Sequence, residues 1–131
     1  MDINIPEVVA DLTATFRRYD PALLAQDLKT LNELFWNSPR VVRFGISENV
    51  YGHDAIADYR QQSARTGRVP ERKIVREVIT TYGRDLGTTN VEYVQTASGR
   101  RGRQSQVWMR TAEGWRIVSA HVSLMQEPAL N

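Results

Sequence analysis

The spacing of apolar residues divides the chain into a helical first part and a β-rich second part. Over residues 6–19 the apolar positions recur at helical spacing, as Val8, Val9, Leu12 and Phe16, which predicts an amphipathic helix. Asp20-Pro21 follows, and the residue before a proline is displaced from the α region. We therefore expect the helix to end there, with Tyr19 at a bend and a short helical turn over 22–26.

Two more helices are expected, one before the first two short strands and one after them. Another helical stripe consists of Leu28, Leu31, Leu34 and Phe35, and Asp27 before it is placed to accept a hydrogen bond from an early backbone amide as an N-cap. A catalytic carboxylate is the alternative interpretation of Asp27. A later helix over 55–64, with Asp54 as its N-cap, would place Ile56, Tyr59, Arg60 and Ser63 on one face.

Extended patterns fill the rest of the chain. A short segment after Asn37-Ser38-Pro39 and another over 49–51 precede four longer ones over 73–82, 86–96, 103–111 and 115–125. Turn signals such as Gly83-Arg84-Asp85 and Glu113-Gly114 separate the long segments, which is typical of an antiparallel meander. The sequence predicts one α+β domain over 1–131, with N-terminal helices packed on a curved, mainly antiparallel sheet.

The alternation within the last two strands predicts which side chains share a face. Strict alternation groups Trp115, Ile117, Ser119, His121 and Ser123 on one face of the last strand. In the strand before it, Gln104, Gln106 and Trp108 share a face and Ser105 lies on the other. We expect only one of those two sets to face a cavity.

Composition excludes several kinds of chemistry. The 131 residues include no cysteine and two histidines, so disulfides, thiolate metal sites and cysteine nucleophiles are excluded and no metal or cofactor is expected. The formal net charge is +2, and the cluster Arg100-Arg101-Gly102-Arg103 is typical of a solvated hairpin tip, with phosphate binding as the alternative. A nucleic-acid partner is not expected.

Hydropathy gives an expectation about location. The chain has no run of about 20 apolar residues that would span a membrane. Its first residues lack the basic and apolar regions of a signal peptide. We therefore expect a cytoplasmic protein without a membrane partner.

An arginine within an apolar run is the first candidate for function. Arg43 lies between Val42 and Phe44, and a guanidinium beside apolar surface must meet an anion because an unpaired buried charge costs several kcal/mol. The anion is either an internal carboxylate such as Glu48 or a ligand carboxylate, which the planar guanidinium matches with two parallel hydrogen bonds.

A set of motifs in fixed order resembles one protein family. The motifs include Arg18-Tyr19, Leu34-Phe35-Trp36, Val42-Arg43-Phe44-Gly45, Ile79-Thr80-Thr81-Tyr82-Gly83-Arg84 and Gly114-Trp115-Arg116-Ile117-Val118. They resemble the AtzH-like family, which includes the oxalurate-catabolism protein HpxZ, within the SnoaL-like, ketosteroid-isomerase-like superfamily. The resemblance implies a cone-shaped, nuclear transport factor two-like fold, a pocket between helices and sheet, and a homodimer formed through the sheet.

The resemblance also implies a function. It suggests a small-molecule amidohydrolase in nitrogen-compound catabolism, acting on a carboxylated urea or amide such as 1,3-dicarboxyurea or oxalurate, with decarboxylation of the released carbamate. The implied catalytic residues are Tyr19 and Arg43. The candidate substrate-binding residues are Trp36, Glu48, Tyr59, Arg60, Ser105, Trp108, His121 and Ser123.

Two alternatives remain open from the sequence. The protein could be a non-catalytic ligand-binding or accessory protein, associated with an amidase-signature enzyme and its small subunit. Several candidates also have a purely structural interpretation, since Tyr19 could simply pack at the helix bend and His121 could be a hydrogen-bonded core or interface residue.

Overall fold

The computed structural model describes residues 1–126, which form four helices and six strands. The helices are α1 (Pro6–Phe16), α2 (Tyr19–Ala25), α3 (Leu28–Leu34) and α4 (His53–Thr66). The strands are β1 (Val42–Phe44), β2 (Asn49–Tyr51), β3 (Arg72–Tyr82), β4 (Leu86–Gln95), β5 (Arg101–Thr111) and β6 (Gly114–Leu124). The predicted α+β class is confirmed. β6 begins and ends one residue before the predicted 115–125 strand, and β4 ends one residue before the predicted 86–96 strand.

The break between the first two helices differs from the prediction. α1 ends at Phe16 and α2 already begins at Tyr19, so Asp20-Pro21 lies inside a helix rather than ending one. The first turn of a helix needs no backbone N–H for intrahelical bonding, and proline is therefore tolerated there. As a result, Tyr19 lies at the beginning of α2 with its side chain buried.

The predicted N-caps of α3 and α4 have different outcomes. The Asp27 side chain accepts hydrogen bonds from the backbone N–H of Thr30 at 3.2 Å and from its hydroxyl at 2.7 Å, which confirms the N-cap and accounts for the lowered pKa of Asp27. The predicted cap at Asp54 is wrong. α4 begins at His53, with Gly52 as its N-cap at φ 90°, a backbone conformation that favours glycine.

The six strands form one sheet in the order β2-β1-β6-β5-β4-β3. β3 to β6 form the predicted antiparallel meander, and β1 pairs with β6 in parallel and with β2 antiparallel. The helices cover one face of this sheet, and the apolar core lies between them. Its largest fully buried side chains include Trp108, Phe35, Leu12, Leu31 and Ile117.

A β-bulge in β6 changes the face on which its side chains lie. Trp108 pairs with Ile117 whereas Val107 pairs with Ser119, so Val118 is an extra residue without a partner in β5. Before the bulge Trp115 and Ile117 are buried, and after it Ala120 is the buried residue. The predicted grouping of Ser119, His121 and Ser123 with Trp115 and Ile117 is therefore wrong, because that grouping assumed uninterrupted alternation.

Within residues 1–126, no helix is long and apolar enough to cross a membrane.

Candidate functional site

A cavity of about 400 Å³ lies between the helices and the inner face of the sheet. Its size suits a small metabolite. α2 and α4 form its helical wall, β1, β6 and β5 form its floor, and the segments around 46–48 and 68–70 form its mouth. Four arginines line the described cavity, Arg43, Arg60, Arg68 and Arg72, whereas Glu48 is the one carboxylate among the lining residues. The cavity is therefore cationic.

Arg43 is bound to an internal carboxylate. Its Nη1 donates to Oε1 of Glu48 at 2.9 Å, and the two side chains are 13% and 21% exposed. The guanidinium also lies 5.2 Å from the ring centroid of Tyr59. Burial would raise the pKa of Glu48, but Arg43, Tyr59 and Ser47 outweigh it and lower that pKa. Of the two anions expected for Arg43, the internal one is present, and the cavity lies beside the pair.

Arg60 is the buried guanidinium without a carboxylate partner among residues 1–126. It is 6% exposed, and its Nη2 donates to the hydroxyl oxygen of Tyr19 at 3.2 Å. The guanidinium also lies over two aromatic rings, at 5.9 Å from the ring centroid of Tyr19 and 5.1 Å from that of Phe35. Its Nε has no hydrogen-bond partner among the described residues.

The phenol of Tyr19 lies in the positive field of these arginines. Tyr19 is 4% exposed. Burial alone would raise the pKa of Tyr19, but Arg60, Arg43 and Arg72 outweigh it, and the pKa is lowered from its usual value. Since the hydroxyl accepts its hydrogen bond from Arg60, its own proton remains available to a ligand acceptor.

Arg72 is another buried arginine of the cavity lining. Its side chain is 5% exposed and lies 4.4 Å from the ring centroid of Tyr93. Its Nε donates to Oδ1 of Asp20 at 3.2 Å and its Nη2 donates to Oε1 of Gln104 at 2.9 Å. The charge of Arg72 is thus matched by Asp20, in contrast to that of Arg60.

Six of the ten predicted site residues line the cavity. They are Tyr19, Arg43, Glu48, Tyr59, Arg60 and His121. The structure brings the first five together, whereas His121 is exposed and its ring lies edge-on to Phe44 at 5.6 Å between centroids.

The other four predicted residues lie outside the cavity, which corrects their assignment. Ser105 is on the outer face of the sheet, where it donates to Oδ1 of Asn90 at 2.6 Å. Ser123 lies on that face too, because the bulge in β6 turns it away. Trp108 is 0% exposed within the core, and Trp36 packs half-buried against the core from the segment after α3.

Sequence reasoning did not assign Gln104 and Gln106 to the site, although both are buried and line the cavity. The sequence pattern that could have indicated this is the alternation of the two glutamines with Ser105 along the strand. Two consecutive inward-facing glutamines in a strand whose third inward residue is an apolar Trp108 indicate a polar floor beside the core.

A model of the AtzH-like family matches residues 1–128 of the chain. The chain belongs to the AtzH-like family. This confirms the resemblance found in the sequence motifs. A search of curated proteins finds no match.

Two solved structures are similar to this AtzH-like chain over almost its whole length. A protein of unknown function from Pectobacterium atrosepticum is 45% identical, with a TM-score of 0.89 and coverage of 95% of this chain and 96% of its own. A cystatin-like fold protein from Burkholderia xenovorans is 43% identical, with a TM-score of 0.89 and coverage of 98% and 99%.

A more distant structure supports the fold alone. A nuclear transport factor 2-like superfamily protein from Salmonella enterica is 24% identical, with a TM-score of 0.78 and coverage of 95% of each chain. The predicted cone-shaped, nuclear transport factor two-like architecture of the AtzH-like chain is thereby confirmed.

Proposed function

We propose that the cavity binds a small carboxylated urea or amide and hydrolyses its C–N bond, with decarboxylation of the released carbamate. The observation that carries this proposal is Arg60, a buried guanidinium that has no carboxylate partner among residues 1–126 and lines the cavity beside Tyr19. A ligand carboxylate would neutralise this charge. The cavity volume and its excess of arginines favour the same class of ligand.

Each residue of the site has a role in this proposal. Arg60 binds the carboxylate, and Arg43, held in place by Glu48, offers its remaining N–H groups to the urea or amide carbonyl oxygen. Tyr19 donates its proton to the leaving nitrogen as the C–N bond breaks, and its lowered pKa makes it a better acid than an ordinary phenol. Water supplies the oxygen that bonds to the carbamoyl carbon, and one of its protons returns to Tyr19. The released carbamate then breaks its own C–N bond and gives carbon dioxide and ammonia.

The test compares product formation by matched variants. Purified protein is incubated with N-carboxylated ureas and with oxalurate, and the products and released carbon dioxide are followed by mass spectrometry. We expect turnover by the wild type and a large loss in Tyr19→Phe and Arg43→Lys. Equal turnover by the wild type and both variants would contradict the proposed chemistry.

A second candidate function is binding without catalysis, in an accessory protein of an amidase-signature enzyme and its small subunit. One observation favours it. The one carboxylate lining the described cavity, Glu48, is bound to Arg43 with a lowered pKa, which makes it a weak base for activating water. Wild-type protein that binds these compounds and releases no product would favour the accessory function.

A further inference from the structure

The floor of the cavity carries a hydrogen-bond chain that starts in the core. Nε1 of Trp108 donates to Oγ1 of Thr89 at 2.9 Å, and Oγ1 of Thr89 donates to Oε1 of Gln106 at 3.1 Å. These three side chains are 0%, 1% and 1% exposed. No bulk water can therefore replace any link of the chain.

The direction of the chain fixes the orientation of the Gln106 amide. An indole nitrogen can only donate, so the Thr89 hydroxyl oxygen accepts from Trp108. The hydroxyl proton of Thr89 is then free for Gln106, whose carbonyl oxygen accepts it. If the amide were reversed, Thr89 would accept twice and its proton would lose the acceptor that the structure gives it, at a cost on the order of 1–3 kcal/mol.

The opposite end of the amide is buried at the cavity lining. Gln106 lines the cavity, and its Nε2 has no hydrogen-bond partner among the described residues. The other buried side-chain atom in the cavity lining that lacks a partner within residues 1–126 is Nε of Arg60. Both atoms are donors and neither can accept. Both of these unpartnered atoms therefore require an acceptor atom from a ligand.

Strand register places Gln106 within reach of a ligand held by the arginines. Arg43 pairs with Ala120, Ala120 with Gln106, and Gln106 with Thr89, so these residues form one row across β1, β6, β5 and β4 on the inner face. Adjacent strands lie about 4.8 Å apart, which separates the backbones of Arg43 and Gln106 by about 10 Å. Ala120 between them has a small side chain, and it leaves the space above the row open.

We propose that Gln106 is a specificity-determining residue whose amide, oriented by Thr89 and Trp108, donates to a carbonyl or carboxylate oxygen of the ligand and rejects a donor group at that position. This inference deepens the proposed function and rests on its anion-binding cavity. The inference narrows the class of ligand, because the ligand must carry an oxygen acceptor in addition to the carboxylate that Arg60 binds.

A pair of isosteric probes tests the inference by binding alone. N-carbamoylglycine and guanidinoacetate share a carboxylate, but the first has a carbonyl oxygen where the second has a nitrogen that donates. The second also carries a positive charge that the arginines of the cavity repel, so the role of Gln106 is read from the change in preference between the wild type and the variants. We expect calorimetric titration of the wild type to show binding of N-carbamoylglycine in clear preference to guanidinoacetate. Gln106→Leu should weaken binding of N-carbamoylglycine by roughly 3–10-fold, the effect of one hydrogen bond.

The positioning role of Thr89 has its own variant and matched control. Thr89→Val retains the size of the side chain but removes both hydrogen bonds, so the amide can rotate and the preference between the two probes should shrink by several-fold. Thr88→Val makes the same change on the adjacent residue of β4, whose side chain lies on the other face of the sheet, and should leave the preference unchanged. Circular dichroism of each variant verifies that it remains folded.

The outcomes separate this inference from the proposed function. If Arg60→Met abolishes binding while Gln106→Leu and Thr89→Val bind both probes as the wild type does, the anion site stands and the role of Gln106 is overturned. A wild-type preference for guanidinoacetate would show the amide reversed and would overturn it as well. If the wild type binds neither probe, the anion-binding cavity itself is wrong and both proposals fail.

Discussion

Arg60 donates from Nη2 to the hydroxyl oxygen of Tyr19 at 3.2 Å, and both side chains are more than nine-tenths buried. This contact joins α4 to α2 over the cavity. It combines a charge that lacks an anion among the described residues with a phenol whose pKa that charge lowers.

Removing the Tyr19 hydroxyl should affect chemistry more than binding. Tyr19→Phe should reduce turnover of a carboxylated urea by about 10²–10³-fold, as expected for loss of one transition-state donor, and change its dissociation constant little. Steady-state kinetics and calorimetry provide the two measurements. Tyr51→Phe is the control, because Tyr51 is 62% exposed and lies outside the cavity. Equal losses in both variants would contradict the role of Tyr19.

Removing the charge of Arg60 should separate stability from binding. Arg60→Met should abolish anion binding and leave the free energy of unfolding unchanged or raised by up to about 2 kcal/mol, because a buried charge without a counterion is costly. Arg72→Met is the matched variant. It breaks a pair with Asp20 and should lower the free energy of unfolding by about 3 kcal/mol. Chemical denaturation distinguishes them, and similar destabilisation of both would count against an uncompensated Arg60.

The ionisation of Tyr19 should be visible as a function of pH. Its pKa in the folded protein is lowered, so the folded state releases this proton at a lower pH than the unfolded chain does. The resulting stabilisation is absent below the folded-state pKa and appears as pH rises through it. Ultraviolet difference titration of wild type and Tyr19→Phe would detect one phenol ionising before the others, and its absence from the wild type would contradict the cationic site.

The Arg43–Glu48 pair should contribute to stability at neutral pH and lose that contribution in acid. The pKa of Glu48 is lowered in the folded protein, so the stabilisation is present above the unfolded-state pKa and disappears as pH falls through the folded-state value. Glu48→Gln should cost about 1–2 kcal/mol at neutral pH and flatten the loss of stability in acid. Thermal melts across an acid series test this. Parallel curves for the two proteins would refute it.

The homodimer expected through the sheet would bury the outer face of β5. Val107 is 37% exposed there, so Val107→Asp should shift a dimer towards monomer in sedimentation equilibrium by placing a charge in the interface. Leu24→Asp introduces the same charge on the helical side, where Leu24 is 36% exposed, and should leave the assembly unchanged. A wild type that sediments as a monomer would rule out this interface.

The sequence predicted the α+β class, the meander and the cap at Asp27 because each depends on local spacing or on contacts a few residues apart. It also predicted residues that meet at the cavity from distant elements, such as Tyr19 and Arg60, but only with the family resemblance. The faces of Ser119, His121 and Ser123 could not be predicted, since nothing in the local pattern shows the extra residue at Val118. The burial of Arg72 was missed because its partners Asp20 and Tyr93 come from distant segments of the chain.

The extra residue in β6 divides that strand into two halves whose inward side chains border different parts of the molecule. Up to Ile117 the inward side chains lie in the core and do not line the cavity, whereas Ala120, at the edge of the core, and Val122 border the ligand space. Substitutions in the second half of the strand can therefore alter the size of molecule admitted while Trp115 and Ile117 keep their places in the core. Enlarging Ala120 would narrow the space above the row between Arg43 and Gln106, and shortening Val122 would widen the space beside it.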